Sequence, residues 1–165
     1  MVIRRQLTLF VAAGLAAAIE AVRRRLDPVQ HRLIAAHVTL CREDELTAWT
    51  DAGLSARLAD LRLPRITLRF GAPETFSEHG VLLPCIDGED GFRELRERIL
   101  GTSDIRRQSP HITLAHPRNP RAAGNQPGGA ATLRDLAPIR FDAIQFIEQA
   151  DGDPWRVLQR FDLPG

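Results

Sequence analysis

Two four-residue strings in this chain say nearly the same thing: His37-Val38-Thr39-Leu40 and His111-Ile112-Thr113-Leu114. Each is histidine, apolar, threonine, leucine, and each reads as a β-strand. A strand sends residues i and i+2 to one face. Each string therefore presents an imidazole beside a hydroxyl and turns two apolar residues the other way. The chain has five histidines and 44% apolar residues, so chance supplies on the order of 0.05 such strings per chain. Two copies point to an internal repeat of one structural unit, and their spacing makes that unit nearly half of the 165 residues. Two such strands facing one cleft would offer two histidines and two threonines to a single ligand. That set of groups suits acid/base chemistry on a phosphate.

Composition bounds the partners. A chain of 165 residues with 26% charged residues suits one domain with its own core, expected to span residues 1–165 as two lobes. The net charge of +1 supplies no strong field for a long duplex nucleic acid, so any nucleic-acid contact should be local. All 22 basic residues are arginine, and tyrosine is absent, which removes Schiff-base lysine and catalytic tyrosine chemistry. Aromatic residues make up 5%, too few for extended stacking on single-stranded RNA, so a small nucleotide or a short RNA 3′ end is the expected ligand. Cys41 and Cys85 form no paired metal motif, and a reduced, cytoplasmic protein is the expectation. Cys41, two residues after Thr39, is read as continuing the His37 face. No segment is long enough to span a membrane. The stretch after Arg4-Arg5 reads as a strand and an amphipathic helix rather than a secretion signal.

Hydrophobic periodicity predicts a strand over 6–11 and a helix over 12–26, stopped by Asp27-Pro28. The first motif strand is expected over 33–41, then a helix from Arg42 to about Asp60 with acids in its first turn. A strand starts at Pro64, with Ile66, Leu68 and Phe70 on one face and Arg65, Thr67 and Arg69 on the other. After a loop over 71–77 come an antiparallel partner over 81–86 and a helix over 89–100 that ends at Gly101. The second motif strand covers 111–115, followed by a long Pro/Gly/Asn-rich loop over 116–129 and a short helix over 130–136. Strands over 139–148 and 155–163 close the chain around a turn at Asp151-Gly152-Asp153. Hairpins mixed with helices predict an α+β fold of largely antiparallel sheets that line a central cleft, with the helices packed outside.

Cleaving a phosphodiester takes a base for the attacking water and an acid for the leaving alkoxide, on opposite sides of phosphorus. Imidazole titrates near ~6.5, so one ring can be neutral while the other is charged. The threonine hydroxyls can donate to the non-bridging oxygens. None of this calls for a metal or another cofactor.

With this pair of motifs, and with the element order and the Leu9-Phe10-Val11-Ala12 segment, the whole chain resembles the 2H phosphoesterase superfamily. Its layout is most similar to the bacterial 2′-5′ RNA ligase and RNA 2′,3′-cyclic phosphodiesterase branch. The resemblance implies a bilobal, pseudo-twofold fold and a metal-independent cleft that opens 2′,3′-cyclic phosphates to 2′-phosphates, with weak reverse 2′-5′ ligation. It implies that His37 and His111 are the acid/base pair and that Thr39 and Thr113 hold the phosphate. Within that pair His111 is taken as the base for water and His37 as the acid for the 3′ oxygen.

One position departs from the family pattern. Ligase-type members often carry arginine at the sixth position of the second motif, where this chain has His116; Arg118 comes two residues later, and Arg42 takes the matching place after the first motif. Arg42, Arg65, Arg69, His116 and Arg118 are thus candidate substrate-binding residues, with Arg106 and Arg107 as further candidates for nucleotide contact. A monomer is expected. The competing reading is a nucleotide- or RNA-end-binding module that keeps the cleft without turnover.

Overall fold

The strand that carries His37 runs from His37 to Cys41, and the one that carries His111 runs from His111 to Ala115. Both show the same alternation of half-buried and buried positions. In the computed structural model, which describes residues 1–164, they are β2 and β6. The element order is β1 (Ile3–Phe10), α1 (Ala13–Leu26), α2 (Pro28–Leu33), β2, α3 (Asp51–Asp60), β3 (Ile66–Phe70), β4 (Glu74–Phe76), β5 (Gly80–Asp87), α4 (Glu89–Leu100), β6, β7 (Ile139–Phe141), β8 (Ala143–Ala150) and β9 (Arg156–Asp162). One sheet has the order β2-β1-β8-β9. The other has the order β4-β5-β3-β7, with β6 on the opposite side of β5. Every pairing in them is antiparallel. The fold is α+β, and each motif strand is the edge of its own sheet.

The internal repeat is visible residue by residue. In the first sheet Leu7, Thr8, Leu9 and Phe10 of β1 pair with Cys41, Thr39, Val38 and His37. In the second, Val81, Leu82, Leu83 and Pro84 of β5 pair with Ala115, Thr113, Ile112 and His111. Each residue of the second set has the counterpart of the first 74 positions earlier. The irregularity repeats as well: each motif strand has a β-bulge, at Leu40 and at Leu114. A bulge inserts one residue and breaks the period of two. Leu40 and Cys41 are therefore both turned inward and buried, as are Leu114 and Ala115. This corrects the reading of Cys41 as part of the His37 face. Burial pushes the Cys41 thiol up to about 12, so it serves as a small apolar residue, as Ala115 does in the other half.

Several boundaries differ from expectation. Asp27-Pro28 does end α1, but it also begins α2. The Asp27 carboxylate accepts from the Gln30 amide at 3.0 Å and Pro28 takes the first helical position, so the pair is a start signal as much as a stop. The motif strand accordingly begins at His37 rather than at 33. The expected helix over 42–60 is split into a 3₁₀ turn at Glu43–Glu45 and α3, whose cap is Thr50, accepting from Gly53 N. A short strand, β4, lies inside the expected 71–77 loop, and 3₁₀ turns over Pro127–Leu133 replace the helix expected at 130–136. The strand expected over 139–148 changes sheets at Asp142. β7 pairs with β3 and β8 with β1 and β9, while the Asp142 carbonyl accepts from Leu163 N. Leu7, Leu9, Val38 and Ile144 of one sheet share a single buried cluster with Leu68, Leu83, Ile112 and Phe141 of the other.

Side chains cross between the halves and tie down the ends of the motif strands. Arg96 of α4 is 1% exposed. Its guanidinium donates to the bulged Leu40 carbonyl at 2.5 Å, to both Glu45 oxygens, to Gln108 Oε1 and to the Arg106 carbonyl. Burial alone would raise the Glu45 carboxyl. The hydrogen bonds from Arg96 and from the Arg42 amide outweigh that and hold it below the usual range. Gln108 completes the tie by donating to the Thr39 carbonyl at 2.7 Å. From the first half, buried Asp27 accepts from the His116 amide just beyond β6 at 2.8 Å.

Removing one member of a buried ion pair leaves the other charged and unpaired. Arg96→Met should therefore lower stability in urea denaturation by ~3–5 kcal/mol. A loss no larger than the ~1 kcal/mol of a surface pair would show that β2 is held in place by something else.

Candidate active site

Strand alternation places His37 and Thr39 on the outer face of β2 and sends Val38 and Leu40 to the core; His111 and Thr113 are set out on β6 in the same way. The two imidazoles are oriented alike. His37 Nδ1 lies 2.8 Å from the Ala35 carbonyl oxygen, and His111 Nδ1 lies 3.0 Å from that of Ser109. A carbonyl only accepts, so in each ring Nδ1 carries the proton and Nε2 is the nitrogen left for chemistry. The Phe10 ring, opposite His37 across the β1–β2 pair, tilts against it with centroids 6.0 Å apart.

His37, Thr39 and Thr113 meet in one cavity of about 240 Å³. Leu114 and His116 close it on the β6 side, Arg23, Asp27, Gln30 and Ile34 on the helical side, and Arg4, Gln6, Gln149 and Trp155 at the far end. His111 does not line this cavity, but its charge reaches His37. Arg23 is 3% exposed and donates to Glu20 Oε1 and to the Ile34 carbonyl. Arg4 lies over the Trp155 ring, 5.5 Å from its centroid, and reaches Gln149. A second groove of about 480 Å³ adjoins, sharing Ile34 and Trp155 and adding Phe10, His31, Gln145 and Val157.

Burial lowers the His37 pKa from 6.5 to about 4; the Ala35 carbonyl works against this, and the charges of Arg23 and His111 add to it. His37 is therefore neutral at pH 7, with Nε2 unprotonated.

Residues 11–153 match the family model of the 2′-5′ RNA ligase superfamily. The chain belongs to the 2′-5′ RNA ligase superfamily. Solved structures of E. coli LigT share its fold. The phosphate complex superposes with a TM-score of 0.63 at 19% identity, and the 3′-AMP complex with 0.63 at 18%, each covering 98% of both chains. A structure described as a phosphoesterase gives 0.62 at 18% identity, again over 98% of both chains. No curated protein matches the chain by sequence.

Against the site residues expected of a superfamily member, the cavity gathers His37, Thr39, Thr113 and His116. The arginines are placed elsewhere. Arg42 is exposed and uses its amide to reach Glu45. Arg65 donates to the Leu163 carbonyl and pairs with Asp142. Arg69 is exposed on the outer face of β3. Arg118 acts through its backbone, whose N–H donates to His116 Nδ1 at 3.1 Å. Arg106 pairs with Asp44. The sequence reading passed over Arg4, Gln6, Arg23, Asp27 and Gln149. Arg4 and Gln6 had a usable signal, since they alternate with Leu7 and Leu9 along β1. Arg23 had none, being one of three consecutive arginines.

The depressed His37 value sets a pH window. An unfolded chain binds a proton at this histidine near 6.5 and the folded one near 4. The stability it contributes is complete above pH 6.5 and is lost as pH falls towards 4, up to ~3 kcal/mol. Denaturation at several pH values should show His37→Gln losing less stability across that window than the parent protein. Parallel pH profiles would contradict the burial of a neutral His37.

Proposed function

We propose that this protein is a phosphodiesterase that opens cyclic phosphates, at 2′,3′-cyclic RNA 3′ ends or on small cyclic nucleotides, to 2′-phosphates without using a metal. The observation that carries this reading is the pair of motif strands with matched hydroxyls and matched imidazoles, each imidazole held by Nδ1 with Nε2 free. A mere binding site has no need of two titrating groups in the same orientation. The cavity of about 240 Å³ suits a phosphate and its ribose, and the adjoining groove has room for a base beside Phe10 and Trp155.

In the proposed reaction, water attacks phosphorus and gives its proton to Nε2 of neutral His111. The bond from phosphorus to the 3′ oxygen breaks, and Nε2–H of His37 protonates that oxygen. Thr39 and Thr113 donate to the non-bridging oxygens, where negative charge grows. With its pKa lowered to about 4, His37 must take up a proton with the substrate to serve as the acid. An anionic phosphodiester beside the ring favours that uptake, and the Ala35 carbonyl stabilises the resulting cation through Nδ1–H. Weak 2′-5′ joining follows the same path with the 5′-hydroxyl of a second strand attacking phosphorus in place of water.

Turnover of 2′,3′-cyclic nucleotides in excess EDTA tests the proposal. His37→Ala and His111→Ala should each lower kcat by ~10²–10⁴, and the parent should show a bell-shaped pH profile. A p-nitrophenyl phosphodiester, whose leaving group needs no proton, should restore turnover to His37→Ala and not to His111→Ala. Binding without turnover at any pH from about 5 to 8, where imidazole titrates, would leave the protein a nucleotide-binding module. Loss of activity in EDTA would refute the metal-free route.

A further inference from the structure

His116, the second imidazole of the cavity, differs from both motif histidines. The His116 amide donates to Asp27 Oδ2 at 2.8 Å, and the His116 carbonyl accepts from Asn119 Nδ2 at 2.6 Å and from Asn119 N at 3.2 Å. Its ring is fixed by a further bond, since Nδ1 lies 3.1 Å from the backbone nitrogen of Arg118. An amide N–H only donates, so Nδ1 must accept and the ring proton sits on Nε2. This is the reverse of His37 and His111, whose Nδ1 atoms face carbonyl oxygens. A second proton on His116 would set Nδ1–H against the Arg118 N–H. The turn thus holds His116 as a neutral donor, at the position where the family pattern carries an arginine.

The charge of the cavity gives that neutrality a consequence. Its charged walls are Arg4, Arg23 and Asp27, and Glu20, paired to Arg23 at 2.8 Å, cancels one of them, so the fixed charges sum to zero and the proton that His37 takes up with the substrate adds one positive charge. Asp27 is fully buried and already accepts from Gln30 N and His116 N, and Arg23 is already engaged by Glu20 and the Ile34 carbonyl. A phosphodiester, with one negative charge, balances the protonated His37. A phosphate monoester, with two, leaves one charge unmatched. We propose that His116 is a specificity residue: its Nε2–H donates to a phosphate oxygen without adding charge, and the cavity therefore prefers singly charged phosphodiesters to doubly charged monoesters. The proposal rests on reading this cavity as a phosphate site. Under the reaction above, water converts a diester into a monoester, so the same residue favours release of product. An arginine at position 116 would hold both.

Two ligands that differ by one methyl group and one charge test this without turnover: adenosine 2′-monophosphate and its methyl ester. Calorimetry at about pH 8 keeps the monoester doubly charged, since its second pKa lies near 6. The native protein should bind the methyl ester about tenfold more tightly. His116→Gln, which keeps a neutral donor, should retain that preference, and His116→Arg should abolish or reverse it. Nitrogen-15 spectra of the imidazoles should show a protonated Nε2 for His116 and a protonated Nδ1 for His37 and His111 in the native protein. A native preference for the monoester, equal tightening of both ligands by His116→Arg, or a protonated His116 Nδ1 would overturn the proposal. Failure of both ligands to bind would overturn the phosphate reading of the cavity along with it.

Discussion

Both motif strands are edge strands, and an edge strand has backbone groups to satisfy along its free side. Much else in this fold answers that need. β2 pairs with β1 and β6 with β5, and the sheets extend no further in those directions. Two edges placed near each other would ordinarily pair or aggregate. Here each is served by groups from the opposite half. Arg96 and Gln108 take the carbonyls of Leu40 and Thr39, and Asp27 takes the amide of His116. These bonds leave the outward-facing imidazoles and hydroxyls free while fixing the backbone that carries them.

The bulges at Leu40 and Leu114 solve a related problem. A regular strand would continue its polar face with residue 41 or 115, beside the threonine. The inserted residue reverses the phase, so that two buried positions follow each threonine and anchor the strand in the core. The polar face is thereby limited to one imidazole and one hydroxyl per strand.

The parts of the fold that were legible from sequence follow short-range rules. The repeated motif, the alternation of Ile66, Leu68 and Phe70 against Thr67 and Arg69, and the helix from Glu89 to Leu100 with Gly101 after it each have a local cause. What was not legible depends on partners far along the chain. Glu43, Asp44 and Glu45 look like the first turn of a long helix, but Glu45 is committed to Arg96, 51 residues away. Asp142 looks like the interior of one strand, but the chain changes sheets there. Of the residues that line the cavity, His37, Thr39 and Thr113 belong to the repeated motif. Arg23 and Asp27 were hidden, because their place at the cavity depends on how α1 and α2 cross towards the other half.

Those two helices also mark where the halves stop being alike. The connection from Phe10 to His37 and the connection from Pro84 to His111 have equal length, yet they are used differently. The first forms α1 and α2 and delivers Arg23, Asp27 and Gln30 to the cavity. The second forms α4 and an extended segment that delivers Gln108 to the back of β2. A site built from the repeat alone would be indifferent to which way round a phosphodiester entered. Under the proposed reaction, the motifs supply the reactive groups in duplicate, and the unequal connections supply direction, distinguishing one bridging oxygen of the diester from the other.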